Sequence, residues 1–89
     1  MYRVVYSENA VKDLRRLDRK VAERIIKKVK SFSEKKDLSS SSKALKGLEG
    51  KFRFRIGDYR AIFTIDRSGE IRVLMVLNVK HRKDIYRNS

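Results

Sequence analysis

The sequence predicts an α+β domain in which two antiparallel helices pack on one face of an antiparallel sheet. Three observations predict it: a β-branched stretch opens the chain, apolar residues recur at helical spacing through residues 8–32, and apolar and basic residues alternate from residue 51. The chain has 89 residues, which is enough for one domain and too few for two. We therefore expect residues 1–89 to form a single domain with the element order β-α-α-β-β-β.

The first half of the chain predicts one strand and two helices. Residues 2–6, YRVVY, are aromatic and β-branched, as strands tend to be. Ser7 can cap the helix that follows, and the apolar stripe of that helix consists of Ala10, Leu14 and Leu17. Its polar residues are expected to face away from the core: Lys12, Asp13, Arg15 and Arg16. Residues 21–32 repeat the pattern and predict a second helix, antiparallel to the first because the connection is short.

The middle of the chain predicts a loop followed by a hairpin. Residues 34–50 have no periodicity and contain four consecutive serines and two glycines, so we expect a loop there. In residues 51–56 apolar and basic side chains alternate, as in a strand with one buried face. Gly57 and Asp58 are suited to a two-residue turn, which leads into a second strand over residues 59–65.

The end of the chain predicts a third strand and a short tail. Residues 70–79 follow a turn at residues 66–69, and their apolar run over residues 73–77 indicates burial on both faces. The first strand is expected to join the resulting sheet. The tail, residues 81–89, is expected to be a short C-terminal helix or an ordered end.

Composition excludes several classes of protein. Lys and Arg outnumber Asp and Glu by 24 to 11, a net charge of +13 that favours polyanionic partners, with nucleic acid the first of them. With no cysteine and one histidine, neither a metal site nor a cofactor is expected. The longest apolar run is far shorter than the ~20 residues that span a bilayer, and no signal-peptide pattern opens the chain. We therefore expect a cytoplasmic protein that does not contact membranes.

The hairpin supplies the first candidate functional residues. If Gly57 and Asp58 form the turn, residue 55 pairs with residue 60, and Arg53, Arg55 and Arg60 share one face. Directly opposed like charges destabilise a sheet by up to ~1 kcal/mol, so folding alone does not explain the arrangement. One arginine on a solvated face is ordinary, but three on one patch favour a phosphate site, because each guanidinium can bind two phosphate oxygens at once.

A second basic group, KHRKDIYR, begins where the last strand ends. It contains Lys80, His81, Arg82 and Lys83 and leads to Tyr86. The Tyr86 ring could stack on a base, or its hydroxyl could take part in proton transfer. Tyr86 equally fits a packing residue that holds the tail to the sheet, and His81 is ambiguous in the same way.

Three stretches resemble the RelE/ParE superfamily of toxins from toxin–antitoxin modules, and most closely its RelE branch. They are LKGLEGKFRFRIGDYRAIFTI, then VLNVKHRKDIY, and the opening YRVVYSENAVKDLRRLDRKVAERI, so the resemblance covers nearly the whole chain. It implies a RelE-like microbial RNase-type fold. It also implies a metal-independent, ribosome-dependent endoribonuclease that cleaves mRNA in the decoding site and so inhibits translation.

The resemblance also assigns roles to single residues of this chain. The residues expected in catalysis are Arg55, Arg60, Arg82, His81 and Tyr86. Those expected to bind RNA phosphates are Arg53, Lys46, Lys80 and Lys83. Because spacing in this region varies within the family, His81 and Arg82 could exchange roles. The implied partners are the ribosome, its mRNA and an acidic, helical RelB-like antitoxin, with operator DNA bound only through the antitoxin complex.

The reaction that we expect is attack of a ribose 2′-hydroxyl on the adjacent phosphate, which DNA cannot undergo. Some family members carry lysines where this chain has Arg53 and Arg55. Because an arginine with a pKa above ~12 is a poor base, these two arginines predict charge stabilisation rather than proton abstraction. Two alternatives share the fold: a ParE-like inhibitor of DNA gyrase without nuclease activity, and a non-catalytic RNA- or ribosome-binding module.

Overall fold

The computed structural model describes residues 2–35, 42–44 and 50–83. Its elements in chain order are β1 (Arg3–Tyr6), α1 (Glu8–Arg15), α2 (Arg19–Ser33), β2 (Ser42–Ala44), β3 (Lys51–Ile56), β4 (Tyr59–Asp66) and β5 (Val73–His81). The α+β class and the predicted order of helices and main strands are confirmed, and β2 is an additional strand.

Strand β2 lies in the stretch that was predicted to be a loop, so for residues 42–44 that prediction was wrong. β2 pairs antiparallel with β3, with Lys43 opposite Arg53. Its sequence, Ser-Lys-Ala, has low β propensity, and the strand results instead from backbone pairing along the edge of β3. Residues 36–41, residues 45–49 and the predicted tail over residues 84–89 lie outside the described residues.

The strands form one five-stranded sheet in the order β1-β5-β4-β3-β2. β3, β4 and β5 form the antiparallel meander that was predicted. β1 joins it at the far edge but runs parallel to β5, with Val4 opposite Leu74, so the sheet is mixed rather than antiparallel. Parallel neighbours need a long connection, which residues 7–72 provide.

Both helices begin at side chains that bind their free N–H groups. Ser7 Oγ accepts a hydrogen bond from the Ala10 N–H at 3.0 Å, which confirms Ser7 as the predicted cap of α1. Asp18 Oδ1 accepts from the Lys20 N–H at 2.9 Å and caps α2. The buried apolar residues of the two helices are Ala10, Leu14, Ile25 and Val29.

The hydrophobic core lies between the helices and one face of the sheet. Phe54 and Phe63 are fully buried, and their stacked rings have centroids 4.1 Å apart. Phe32 of α2 packs on Phe54 with ring centroids 4.4 Å apart. The other buried strand residues on this face are Ile56, Ala61, Leu74, Val76 and Val79. Because side chains alternate along a strand, their neighbours in sequence point away from the helices.

Strand β5 contains a bulge at Leu77 that decides which side its last residues face. Ile62 of β4 pairs with Asn78 while the next residue, Phe63, pairs with Val76, so Leu77 has no partner on β4. The extra residue reverses the alternation: Val79 faces the core and Lys80 faces away from the helices.

Residues 73–77 are not buried on both faces, so that prediction was wrong. Leu74 and Val76 are buried in the core, whereas Met75 is 37% exposed on the other face. Met75 lies opposite Val5 of β1, which is also 37% exposed. The apolar run thus has one buried face, and the residues between are partly open to solvent.

The turn between β3 and β4 has the predicted two-residue form. Ile56 pairs with Tyr59 and Arg55 with Arg60, which confirms the register predicted from the sequence. Gly57 has a φ of +60°, and no described non-glycine residue has a positive φ. A positive φ at the first turn residue, Gly57, and a negative φ at the second, Asp58, are the pattern of a type II′ turn. An added Cβ at Gly57 would also lie 3.1 Å from Arg24 Nη2 of α2.

Replacing Gly57 with alanine should therefore lower the free energy of unfolding by about 1 to 2 kcal/mol, because a Cβ disfavours the left-handed backbone. In an Arg24→Ala background the crowding is removed, and the remaining cost should be the conformational cost of about 1 kcal/mol. Urea denaturation of the wild type, both single variants and the double variant measures these quantities. A Gly57→Ala variant as stable as the wild type would contradict the left-handed turn.

Candidate functional site

Basic residues from three neighbouring strands lie side by side on the face away from the helices. Arg55 of β3 is opposite Arg60 of β4, and Arg60 is opposite Lys80 of β5. Directly opposed residues share a face of the sheet, so these three form a row. Arg53 lies on the same face, two residues before Arg55. We call Arg53, Arg55, Arg60 and Lys80 the cationic cluster.

The members of the cationic cluster differ in their exposure to solvent. Arg55 is exposed and Arg53 is half-buried, whereas Arg60 is only 3% exposed. Arg60 Nη1 donates to the carbonyl oxygens of Gly57 at 3.1 Å and Tyr59 at 3.0 Å. Its guanidinium is therefore folded back against the β3–β4 turn, which strand alternation does not predict. Arg55 is the member best placed to contact a ligand directly.

No described carboxylate pairs with the arginines of the cluster. The ion pairs within the described residues join Arg19 to Glu23 and Lys80 to Asp13. Arg60 is bonded to neutral carbonyls, and neither it nor the half-buried Arg53 has a described carboxylate as partner, so their positive charge favours the approach of an anion. Guanidinium groups donate hydrogen bonds and do not accept protons. The three arginines can therefore bind and neutralise a phosphate, but they supply no base.

Lys80 differs from the arginines because it has an acidic partner. Its Nζ lies 3.3 Å from Asp13 Oδ1, and Asp13 is only 9% exposed. Asp13 Oδ2 also accepts a hydrogen bond from the Val79 N–H at 2.9 Å. The carboxylate partly neutralises Lys80 and holds its amine towards α1. Lys80 therefore contributes less to anion binding than Arg55 does.

Helix α1 also completes the hydrogen bonding of β5 beyond the end of β1. The pairing of β1 with β5 ends at Tyr6 and Val76. Past that point Ser7 Oγ donates to the Leu77 carbonyl at 2.7 Å, and Asp13 accepts from the Val79 N–H. Polar backbone groups at a strand edge need such partners when they are buried. The N-cap side chain of α1 and one side chain within the helix thus replace a neighbouring strand.

Asp13 was predicted to face away from the core, and that prediction was wrong. It lies three residues after Ala10 and four before Leu17, spacings that place side chains on one side of a helix. The spacing therefore contained the signal, but an aspartate between basic residues reads as part of a solvated surface. Its role as a partner of Val79 and Lys80 depends on contacts with β5, which the helix sequence alone does not show.

His81 lies on the opposite side of β5 from Lys80, so its ring is not part of the cationic cluster. The ring packs edge-on against Tyr59, with centroids 5.2 Å apart. His81 Nδ1 accepts a hydrogen bond from the Lys83 N–H at 3.2 Å, so the neutral ring carries its proton on Nε2.

The remaining predicted site residues are Arg82, Lys83, Lys46 and Tyr86. Arg82 and Lys83 are exposed. The Arg82 N–H donates to the Asp58 carbonyl at 2.8 Å, which fixes the residue after β5 beside the β3–β4 turn. Lys46 and Tyr86 lie outside the described residues.

The groups with a shifted pKa lie away from the cationic cluster. Burial raises the pKa of the Tyr6 hydroxyl on β1. Hydrogen bonds from Ser68, first from its side chain and then from its backbone, lower the pKa of the exposed Asp66 carboxyl. Within residues 2–35, 42–44 and 50–83 no three His, Asp or Glu side chains gather in a way that could hold a metal ion. None of the described helices is long and apolar enough to cross a membrane.

Comparison with known proteins places the sequence and the fold among bacterial and archaeal toxins. Residues 4–86 match a family model described as the ParE toxin of the type II toxin–antitoxin system parDE. The fold is similar to the RelBE2 toxin–antitoxin complex of Mycobacterium tuberculosis, with a TM-score of 0.77 and 28% identity over 91% of this chain and 98% of that chain. No curated protein is similar enough in sequence to count as a relative.

Two further solved structures are similar. The archaeal RelE–RelB complex of Pyrococcus horikoshii has a TM-score of 0.69 and 25% identity, over 91% of this chain and 94% of that chain. The isolated Escherichia coli RelE toxin has a TM-score of 0.72 over 100% of both chains, and at 19% identity it shows the common fold.

Replacing Asp13 with alanine should lower the free energy of unfolding by about 2 kcal/mol, because the buried Val79 N–H loses its acceptor. Asp13→Asn keeps an acceptor and should cost less. Lys80→Met removes only a partly exposed ion pair and should cost about 0 to 1 kcal/mol. Urea denaturation compares the three variants. If Asp13→Ala costs no more than Lys80→Met, the Val79 hydrogen bond does not anchor α1 to the sheet.

Proposed function

The chain belongs to the ParE toxin family of type II toxin–antitoxin systems, and from that premise we propose that it is a ribosome-dependent endoribonuclease that cleaves mRNA. Family membership confirms the resemblance to the RelE/ParE superfamily seen in the sequence and makes the chain the toxin of such a module. The observation that carries the proposal is the cationic cluster, in which three arginines without described acidic partners share one face.

The proposed reaction uses the RNA's own 2′-hydroxyl as nucleophile. The 2′ oxygen forms a bond to the adjacent phosphorus and loses its proton, while the bond from phosphorus to the 5′ oxygen breaks and that oxygen gains a proton. The products are a 2′,3′-cyclic phosphate and a free 5′-hydroxyl. DNA lacks the nucleophile and is not cut. The guanidinium groups supply the positive charge, so the step requires no metal ion.

The arginines have different roles in this proposal. Arg55 is exposed and contacts the phosphate directly, while the half-buried Arg53 positions the RNA backbone. Arg60 is held by the carbonyls of Gly57 and Tyr59, so its charge is fixed before the substrate arrives. Donors fixed in advance stabilise developing charge without having to reorganise. Arg82, fixed beside the turn through its backbone, adds charge at the same end of the sheet.

Proton transfer is assigned to the C-terminal Tyr86, which stacks on a base or carries a proton. His81 does not share this part, because its ring packs on Tyr59 on the opposite side of β5 from the cationic cluster and its Nδ1 accepts from the Lys83 N–H. Lys46, Lys80 and Lys83 bind neighbouring phosphates, Lys80 the most weakly because Asp13 already pairs with it. A site with much charge and no close acid–base pair among its described residues suits an enzyme whose substrate the ribosome aligns, because alignment alone lowers a barrier considerably.

The proposed partners follow from the charge and from the solved relatives. The structures from Mycobacterium tuberculosis and Pyrococcus horikoshii are complexes of RelE-type toxins with antitoxins. We propose that this chain binds an acidic, helical RelB-like antitoxin, which its charge of +13 would attract. Operator DNA would be bound only by that complex. The toxin acts in the cytoplasm, where ribosomes and mRNA are found.

A second candidate function is inhibition of DNA gyrase without nuclease activity. The observation that favours it is the family model, which is described by ParE toxins. A YoeB/ParE toxin from Agrobacterium tumefaciens also shares the fold, with a TM-score of 0.67 at 18% identity. A fold common to both branches does not decide between them. A measurement of mRNA cleavage distinguishes the two functions.

Replacing Arg55 with glutamine should reduce mRNA cleavage on translating ribosomes about 100-fold, because one donor to the developing charge is lost. The matched control is Arg67→Gln, which removes the same charge from an exposed residue between β4 and β5 and should cleave as the wild type does. Primer extension on a defined mRNA, with purified ribosomes, measures the cleavage rate. Intact mRNA with the wild-type protein, or equal rates for Arg55→Gln and the wild type, would contradict the proposal.

A further inference from the structure

The exposed side of α2 carries a second group of basic residues, separate from the cationic cluster. Four exposed residues form it, and we call them the helix stripe: Lys20, Arg24, Lys27 and Lys28. Arg24, Lys27 and Lys28 follow Lys20 by four, seven and eight residues, which places all four on one side of the helix. The buried residues Ile25 and Val29 occupy the other side and face the sheet.

The positive charge of the helix stripe is not neutralised by the described residues. Glu23, the one acidic residue within α2, has its Oε1 3.2 Å from Arg19 Nε, at the edge of the stripe. No described carboxylate forms an ion pair with a stripe residue. Like charges four residues apart, such as Lys20 with Arg24, destabilise a helix. Helix stability therefore gives no reason for this arrangement.

The helix stripe extends to the β3–β4 turn. A Cβ at Gly57 would lie 3.1 Å from Arg24 Nη2. The Arg24 guanidinium therefore packs against the turn at Gly57, which has no side chain. Arg60, a member of the cationic cluster, donates to the carbonyl of the same Gly57 from the other face of the sheet. Positive charge therefore continues around the end of the hairpin, from α2 to the cationic cluster.

The side chains of the helix stripe are suited to binding the phosphate backbone of a nucleic acid rather than its bases. Proteins that hold single strands stack bases on aromatic side chains. The one aromatic residue of α1 and α2 is Phe32, whose ring packs on Phe54 in the core. The helix stripe presents flexible cations on a convex surface and can contact phosphates, which carry no sequence information. Double-helical RNA is recognised in this way, through its shape and its phosphates.

We propose that the helix stripe binds the phosphate backbone of double-helical RNA, irrespective of sequence, while the cationic cluster takes a single strand. The choice of RNA rests on the proposed function, since a toxin that acts on the ribosome meets folded RNA at its target. Binding to the duplex does not depend on cleavage. The helix stripe would then dock the toxin while the other face of the sheet receives the mRNA.

The test is the salt dependence of binding to a 20-base-pair RNA duplex of arbitrary sequence. Each phosphate contact contributes about one unit to the slope of log K against log salt concentration. The double variant Lys20→Gln, Lys28→Gln should lower that slope by about two units and leave binding to a single-stranded RNA unchanged. Glutamine is a good helix former, and a thermal melt followed by circular dichroism confirms that the fold is kept.

The matched control is the double variant Arg3→Gln, Arg67→Gln, which removes the same charge from exposed residues of β1 and of the β4–β5 connection and should keep the wild-type slope. An unchanged slope in the stripe variant overturns the proposal, and so does an equal loss in both double variants. Loss of binding to polyglutamate without loss of duplex binding would assign the stripe to an acidic protein and overturn it too. Because cleavage is not measured, failure here leaves the proposed nuclease standing, and an inactive nuclease leaves duplex binding standing.

Discussion

The two-residue turn at Gly57 and Asp58 fixes how β3 pairs with β4, and both the core and the cationic cluster depend on that pairing. With Arg55 opposite Arg60, the phenylalanines of both strands face the helices and the arginines face away. A slip of one residue in either strand would exchange the two sets, placing arginines against Phe32 and phenylalanines in solvent. The hydrophobic effect therefore holds the arginines together, although their mutual repulsion opposes it. The positive φ of Gly57 makes the tight turn possible.

Contacts between α1 and β5 determine how the third strand of the meander contributes to the cationic cluster. The bulge at Leu77 turns Lys80 to the arginine side. Because the pairing of β1 with β5 ends at Tyr6 and Val76, polar groups further along β5 need other partners. Ser7 and Asp13 supply those partners. The Asp13 carboxylate therefore has two roles: it accepts a hydrogen bond from the backbone of β5, and it partly neutralises Lys80 of the cationic cluster. The balance of charge at the site thus depends on the packing of a helix.

Much of the fold and part of the site could be predicted from the sequence, and the differences have physical reasons. Local signals sufficed for the hairpin, because strand alternation and a Gly-Asp turn leave one register for Arg55 and Arg60. They did not suffice for β2, for the parallel pairing of β1 or for the bulge at Leu77, because each depends on backbone pairing between distant segments. The burial of Arg60 depends on hydrogen bonds to turn carbonyls that strand periodicity does not show. The roles of Lys46 and Tyr86 remain predictions from the sequence.

The proposed function requires that the cationic cluster serve RNA cleavage on the ribosome rather than inhibition of gyrase. The most direct measurement is to express the chain in growing cells and to map mRNA 5′ ends across the transcriptome while following DNA supercoiling. Cleavage on the ribosome should give new 5′ ends within translated codons soon after induction, with supercoiling unchanged. Intact mRNA together with gyrase-linked DNA breaks would contradict it and would assign the chain to the gyrase-inhibiting branch of its family.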